Sequence, residues 1–210
     1  MPEPTTDPNP ITDRYVRAMT WIYPAQSGLA LTIRAALLVY NADVLDAEVD
    51  EDGEWAEELE LAHAVVHVFQ GDPITDRAQF WKAADESSDL SALDDAVSRV
   101  PEEIAALSYF AERTIILDDV TVAPAHRRQG LGRQIAALTL DAAGAWTSEA
   151  LVIAIAGARD DKDETREASA ALLRALGLQP MPVDDLWAAA TTEIAFQDDY
   201  RTAMQLETLW

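Results

Sequence analysis

Residues 114–144 read TIILDDVTVAPAHRRQGLGRQIAALTLDAAG. Ile115, Ile116, Leu117, Val120 and Val122 form the apolar, β-branched run of a buried strand, and Leu131, Ile135, Leu138 and Ala142 then recur at helical spacing. Between the two, Pro124 marks a corner, and Gly130 and Gly132 sit in a turn that opens straight into the helix. Arg127, Arg128 and Arg133 fall within seven positions of one another, in a chain with 15 basic against 38 acidic residues. The sign of the charge reverses locally. A helix start leaves its first N–H groups without carbonyl partners and carries the positive end of the macrodipole. Two residues without Cβ atoms and three guanidinium groups at that place predict an anion site suited to a diphosphate. The common nucleotide loops do not fit. A Walker loop ends in Gly-Lys-Ser/Thr, where this chain has Gly132, Arg133 and Gln134, and a dinucleotide fingerprint from Gly130 wants a small residue where Ile135 stands.

Arg127, Gly130 and Gly132 fill the pattern Gln/Arg-x-x-Gly-x-Gly/Ala, and with the Val122-Ala123-Pro124 corner and the strand before it the segment resembles the acyl-CoA signature of the GNAT N-acetyltransferase superfamily. The resemblance covers Thr114 to Leu178. It implies an α/β (α+β) fold with a central mixed sheet, flanking helices and acetyl-CoA as co-substrate. It further implies that the amides of Arg128, Gln129, Gly130, Leu131, Gly132 and Arg133 hold the CoA pyrophosphate, that Arg127 belongs to the same turn, and that the backbone at Val120 and Val122 pairs with the pantetheine arm. The two central strands of the family splay apart, and the cofactor enters between them.

Acetyl transfer to an amine needs a proton acceptor for the amine, stabilisation of the thioester oxygen as it becomes negative, and departure of the thiolate. Members of the resembled family often carry an acidic base on the signature strand, where Asp118 and Asp119 stand. Strict alternation puts these two on opposite faces, and parity with Val120 and Val122 points to Asp118; the bland alternative is that both meet solvent or pair with Arg. The family's usual acid is a Tyr four residues ahead of a Gly, and counting back from Gly177 this chain has Leu173. The Asn often found earlier in that helix is absent too, the region being Thr165, Arg166 and Glu167. Two functions therefore stand: an N-acetyltransferase acting on a primary amine, and a CoA-binding module without turnover that serves as sensor or subunit.

His63 and His67, four apart, share a face but lack the Glu of a His-Glu-x-x-His zinc site, Ala64 standing in its place, so a packed or surface pair is expected and no metal site. There is no cysteine, hence no disulfide and no thiolate chemistry. The formal net charge of -23 argues against nucleic acid or an anionic membrane as partner. Such acidity serves solubility or a high-salt habitat, or it draws in a cationic amine acceptor, and both readings stand. No apolar run reaches membrane-span length and MPEPTTDPNP is no signal peptide, so a cytoplasmic protein is expected. A homodimer stays open as its assembly.

In chain order, residues 1–10 read as a flexible tail and 11–210 as a single domain. Strands are expected over Gly28 to Asp50, with a break near Asn41, and over Leu59 to Phe69, the start of the latter at WAEELELA being equally compatible with helix. Helices follow from Asp76 to Glu112, a helical insertion before the signature strand; the resembled family usually has its two acceptor-side helices between the first and second strands. After the signature helix come a strand at Leu151 to Ala156, parallel to the signature strand, a helix from Thr165 to Leu176 closed by Gly177, and strands at Leu186 to Thr192 and Ile194 to Phe196.

Overall fold

The computed structural model describes residues 14–24, 30–41, 59–84, 88–145, 149–156, 163–183 and 185–192. Over these residues the strands are β1 (Arg14–Pro24), β2 (Ala30–Asn41), β3 (Leu59–Gln70), β4 (Arg113–Val122), β5 (Ala150–Ile155), β6 (Gln179–Pro180) and β7 (Leu186–Ala190). The helices among them are α1 (Arg77–Ala84), α2 (Ser88–Arg99), α3 (Pro101–Ser108), α4 (Leu131–Ala142) and α5 (Asp163–Ala175). All seven strands belong to one sheet in the order β1-β2-β3-β4-β5-β7-β6. The mixed sheet with flanking helices is the expected class, and the parallel pair is β4 with β5.

The two faces of the sheet are covered differently. On one face α4 and α5 bury Ala136, Ala137, Leu140, Leu173 and Leu176 against Val66, Val68, Ile115, Leu117, Val152 and Trp187. Its continuation packs Leu131 and Ile135 on Ala35, Leu37, Ala62 and Ala64, with Val120 and Val122 at the margin. On the other face α1 to α3 bury Phe80, Leu93, Val97, Val100 and Ile104 against Phe69, Ile116, Leu151, Ile153 and Leu186. All of these helices lie between β3 and β4 in the chain, as the helical block from Asp76 predicts. On β3 and β4 this cluster takes in Phe69 and Ile116, and on β5 and β7 Leu151, Ile153, Leu186 and Ala188.

The stretch Leu59 to Phe69 is strand, which settles its ambiguous start from Leu59 onward. Strand β1 has no counterpart in the sequence reading. Its Tyr15, Val16, Trp21, Ile22 and Tyr23 suit a strand but follow no regular alternation, and unbroken pairing with β2 from Arg14↔Asn41 to Pro24↔Leu31 organises them. Two-residue β6 is too short to leave a pattern. The tail at 1–10 and the strand expected at Ile194 to Phe196 lie outside the described residues. No helix among the described residues is long and apolar enough to cross a membrane.

Candidate functional site

The turn after β4 is built by backbone conformation. Pro124–His126 makes one turn of 3-10 helix, Arg127 is extended, and the chain then passes through two left-handed residues, Arg128 at φ 63° and Gly130 at φ 83°. Gly130 is the N-cap residue of α4, and no side chain caps the helix there. The first turn of α4 thus presents amides whose carbonyl partners do not exist within the helix, the arrangement that accepts an anion. Arg127 folds back, its Nε donating to the Val122 carbonyl at 3.2 Å, and this ties the turn to the end of the strand. Arg128 is exposed.

Gly132 has a second role that its sequence position does not reveal. A Cβ there would lie 3.3 Å from Val122 Cγ2 and 3.7 Å from Val120 Cγ1. The missing side chain lets the start of α4 settle on β4, so the valines at 120 and 122 serve helix packing through their side chains. Pairing of β4 with β5 runs only from Arg113↔Ala150 to Leu117↔Ala154, while β4 continues to Val122. The β5-side edge of β4 is therefore outside the ladder from Asp118 onward, next to the uncapped helix start.

Opposite β3, the same point of β4 carries a β-bulge. Val66 pairs with Leu117 and Val65 with Asp119, so Asp118 is an extra residue with no cross-strand partner. The bulge overturns the expectation that Asp118 and Asp119 face opposite ways. Both point away from α4, to the face where His63 and His67 stand, and Val120 and Val122 are returned to the α4 face. The parity argument for Asp118 alone fails because it counts alternation through the bulge. His67 Nε2 lies 3.2 Å from Asp118 Oδ2 and His63 Nε2 lies 2.7 Å from Asp119 Oδ2. Thr121, on the same face, donates its hydroxyl to Asp119 at 3.2 Å.

A second bulge completes the cluster. Leu37 pairs with Ala62 and Leu38 with Glu60, which leaves Leu61 as the extra residue of β3 and brings Glu60 onto the face of His63. Glu60 Oε1 lies 2.5 Å from His63 Nδ1, and its Oε2 accepts Arg34 Nη2 at 2.5 Å. The Arg34 guanidinium sits 5.3 Å from the centroid of the Trp21 ring, within cation–π range. His67 is anchored by Thr32, whose hydroxyl is 3.1 Å from Nδ1. Sequence reasoning missed Glu60, Arg34, Thr32 and Trp21. Alternation places Glu60 on the wrong face, and nothing local marks Leu61 as a bulge.

The two aspartates differ in exposure. The Asp118 side chain keeps 21% of its surface beside a His67 with 14%, whereas that of Asp119 keeps 46%; taken as a whole residue Asp118 is the more exposed, because its backbone lies open at the bulge, so it is the carboxylates that differ in this order. Leu173, at the place of the expected acid, is buried in the core against α4. Tyr109 is exposed beyond the C-terminus of α3, at the end of the sheet where β4 begins. A separate cleft of about 430 Å³ lies between α5 and the β6–β7 connection, lined by Arg166, Ala170, Met181, Asp185 and Trp187 among others, with Arg166 and Asp185 paired at 2.9 Å. None of the residues expected for the site lines it.

Among known families, the model of the acetyltransferase (GNAT) family matches residues 54–177, more than half of the chain. The match takes in Glu60, both histidines, both aspartates and the turn before α4, and leaves out β1 and β2. No curated protein and no solved structure matches the chain.

Proposed function

The chain belongs to the GNAT acetyltransferase family, and on that premise we propose that it transfers an acetyl group from acetyl-CoA to a primary amine, with Asp119 receiving the proton the amine must lose. The observation that carries this reading is the bulge at Asp118. It brings two carboxylates to the open end of one sheet face, at the level where β4 leaves β5 and close to the uncapped start of α4.

The residues present fit acetyl-CoA. The amides from Arg128 to Arg133 hold its diphosphate, aided by the helix dipole and the exposed Arg128, and the β4 edge from Asp118 to Val122 offers backbone groups to the pantetheine arm. Acetyl-CoA supplies the activated acetyl group. The acceptor amine comes to the polar face, where Asp119 offers the more accessible of the two aspartate side chains and both favour a cation, Glu60 being already paired with Arg34. One proton leaves the ammonium for the Asp119 carboxylate before the nitrogen can attack. Asp118, held by His67, which Thr32 anchors, keeps the bulge in one conformation. No tyrosine stands where the family's acid is expected, Leu173 being buried there, so the thiolate leaves without a placed acid, and the second proton that the nitrogen sheds as the C–N bond forms and the C–S bond breaks goes to that thiolate or to solvent.

Leu173 also favours a second reading, a module that binds CoA without turnover, because that position is committed to the core. Calorimetric titration with acetyl-CoA followed by a thiol-release assay over a panel of primary amines separates the two. Micromolar binding with amine-dependent thiol release is expected; binding with no release for any amine supports the module, and no binding removes both.

A further inference from the structure

The Asp119 side chain keeps nearly half of its surface, and a carboxylate so placed samples several rotamers unless something holds it. Here it is held from behind by a chain of side chains that crosses the sheet. Trp21 of β1 stacks on Arg34 of β2, Arg34 pairs with Glu60 of β3, Glu60 meets His63 Nδ1, and His63 Nε2 meets Asp119 Oδ2 on β4. Carboxylate oxygens accept, so each of the two contacts of the His63 ring needs a proton between nitrogen and oxygen. With a proton in each contact the ring is held from both sides, and the direction of one nitrogen is set by the partner of the other. Glu60 supplies that partner.

We propose that His63 and Glu60 are positioning residues for the transfer reaction: Glu60 fixes the imidazole, and the imidazole donates from Nε2 to Asp119 Oδ2, leaving Oδ1, which the Thr121 hydroxyl also meets at 3.2 Å, to take the amine's proton. The proposal rests on the assignment of Asp119 as proton acceptor. The paired arrangement beside it shows the contrast. His67 is fixed by Thr32, which is buried, and it holds an Asp118 whose side chain is less than half as exposed as that of Asp119, although the bulge leaves the Asp118 backbone open to solvent. One histidine–aspartate pair sits at the bulge itself; the other presents the more open carboxylate.

The test compares two replacements of His63 in the full chain, using an amine that the wild type acetylates. His63→Leu keeps the bulk and removes the donor, and kcat should fall about 10- to 100-fold, as losses of groups that orient an active residue typically do, with KM for acetyl-CoA unmoved. His63→Gln carries an amide N–H near the place of Nε2 and should recover most of that loss; Glu60→Ala should cost less than His63→Leu. A second readout needs neither substrate. In the free protein the two ring protons of His63 should appear in NMR spectra as hydrogen-bonded N–H resonances, the Nε2 signal lost in Asp119→Ala and the Nδ1 signal lost in Glu60→Ala. A folded His63→Gln as slow as His63→Leu, or ring resonances indifferent to both carboxylates, overturns the proposal. Asp119→Asn at full rate would instead remove the underlying assignment, whereas a slow Asp119→Asn beside a His63→Leu at wild-type rate removes the positioning role alone.

Discussion

The turn that opens α4 and the polar end of the sheet face sit on the same strand, yet they are built in opposite ways. The turn is continuous in sequence and works through its backbone: two left-handed residues, an uncapped helix start and a glycine that fits under two valines. The polar face is assembled from β1, β2, β3 and β4 and works through side chains, Glu60 and Asp118 being brought to it by bulges in their own strands. Anion binding asks only for N–H groups at a helix end, which any side chains can surround. Proton transfer asks for particular groups at particular distances, which only tertiary packing can supply.

The largest effect should come from breaking the polar face at its reactive end. Asp119→Asn keeps the shape and the hydrogen bond from His63 while removing the base, and kcat should fall by about two to four powers of ten at neutral pH, with acetyl-CoA affinity retained. Partial recovery is expected as pH rises and the free amine loses its proton unaided. Asp118→Asn should cost far less. Steady-state kinetics over a pH series checks both, and a larger loss in Asp118→Asn would reverse the roles given to the two aspartates.

Breaking the turn should cost less and read out in binding. Gly130→Val forces a β-branched residue into φ near 83°, a strain of roughly 1–2 kcal/mol, and acetyl-CoA should bind about tenfold or more weakly by calorimetry. Arg128→Gly sharpens the point because it moves two properties in opposite directions. A non-glycine residue at φ 63° is strained, so its replacement should raise thermal stability by about 0.5–1 kcal/mol, while the lost guanidinium weakens binding. If Arg128→Gly improves both, its side chain has no part in holding the anion. Gly132 is a poorer probe of the ligand: any side chain there first meets Val122, and a weak-binding Gly132 variant would report a displaced helix.

The same contrast explains what the sequence discloses. Strand β4, α4 and the Arg127-x-x-Gly130-x-Gly132 turn are legible because periodicity and glycine placement are local signals, and the class of fold follows from the parallel pair they imply. The polar face is hidden for a definite reason. Alternation is the rule that assigns residues to faces, and one extra residue at Leu61 and one at Asp118 each invert it, so Glu60 and Asp118 fall on the sides opposite to those expected. Once the bulges are known, His63 and His67 at a spacing of four become partners of Asp119 and Asp118. Arg34 and Trp21 leave no signal at all, since their role depends on β1 lying beside β2.

The smallest expected effect concerns the field around both regions. If the acceptor is a cation gathered by a chain of net charge -23, kcat/KM for the amine should fall severalfold between low and physiological salt, because the Debye length shrinks from about 30 Å at 0.01 M to about 8 Å at 0.15 M and long-range attraction is lost first. CoA is an anion approaching the same acidic protein, so its capture should improve over that range as the general repulsion is screened, unless the local arginines at 127, 128 and 133 outweigh the rest of the surface. The two substrates thus sample the same charge distribution with opposite signs. Rates for both, measured in one salt series, separate the regions: an amine rate that stays flat or rises would leave the acidity to solubility or habitat and leave the carboxylates on the polar face to act only at contact range.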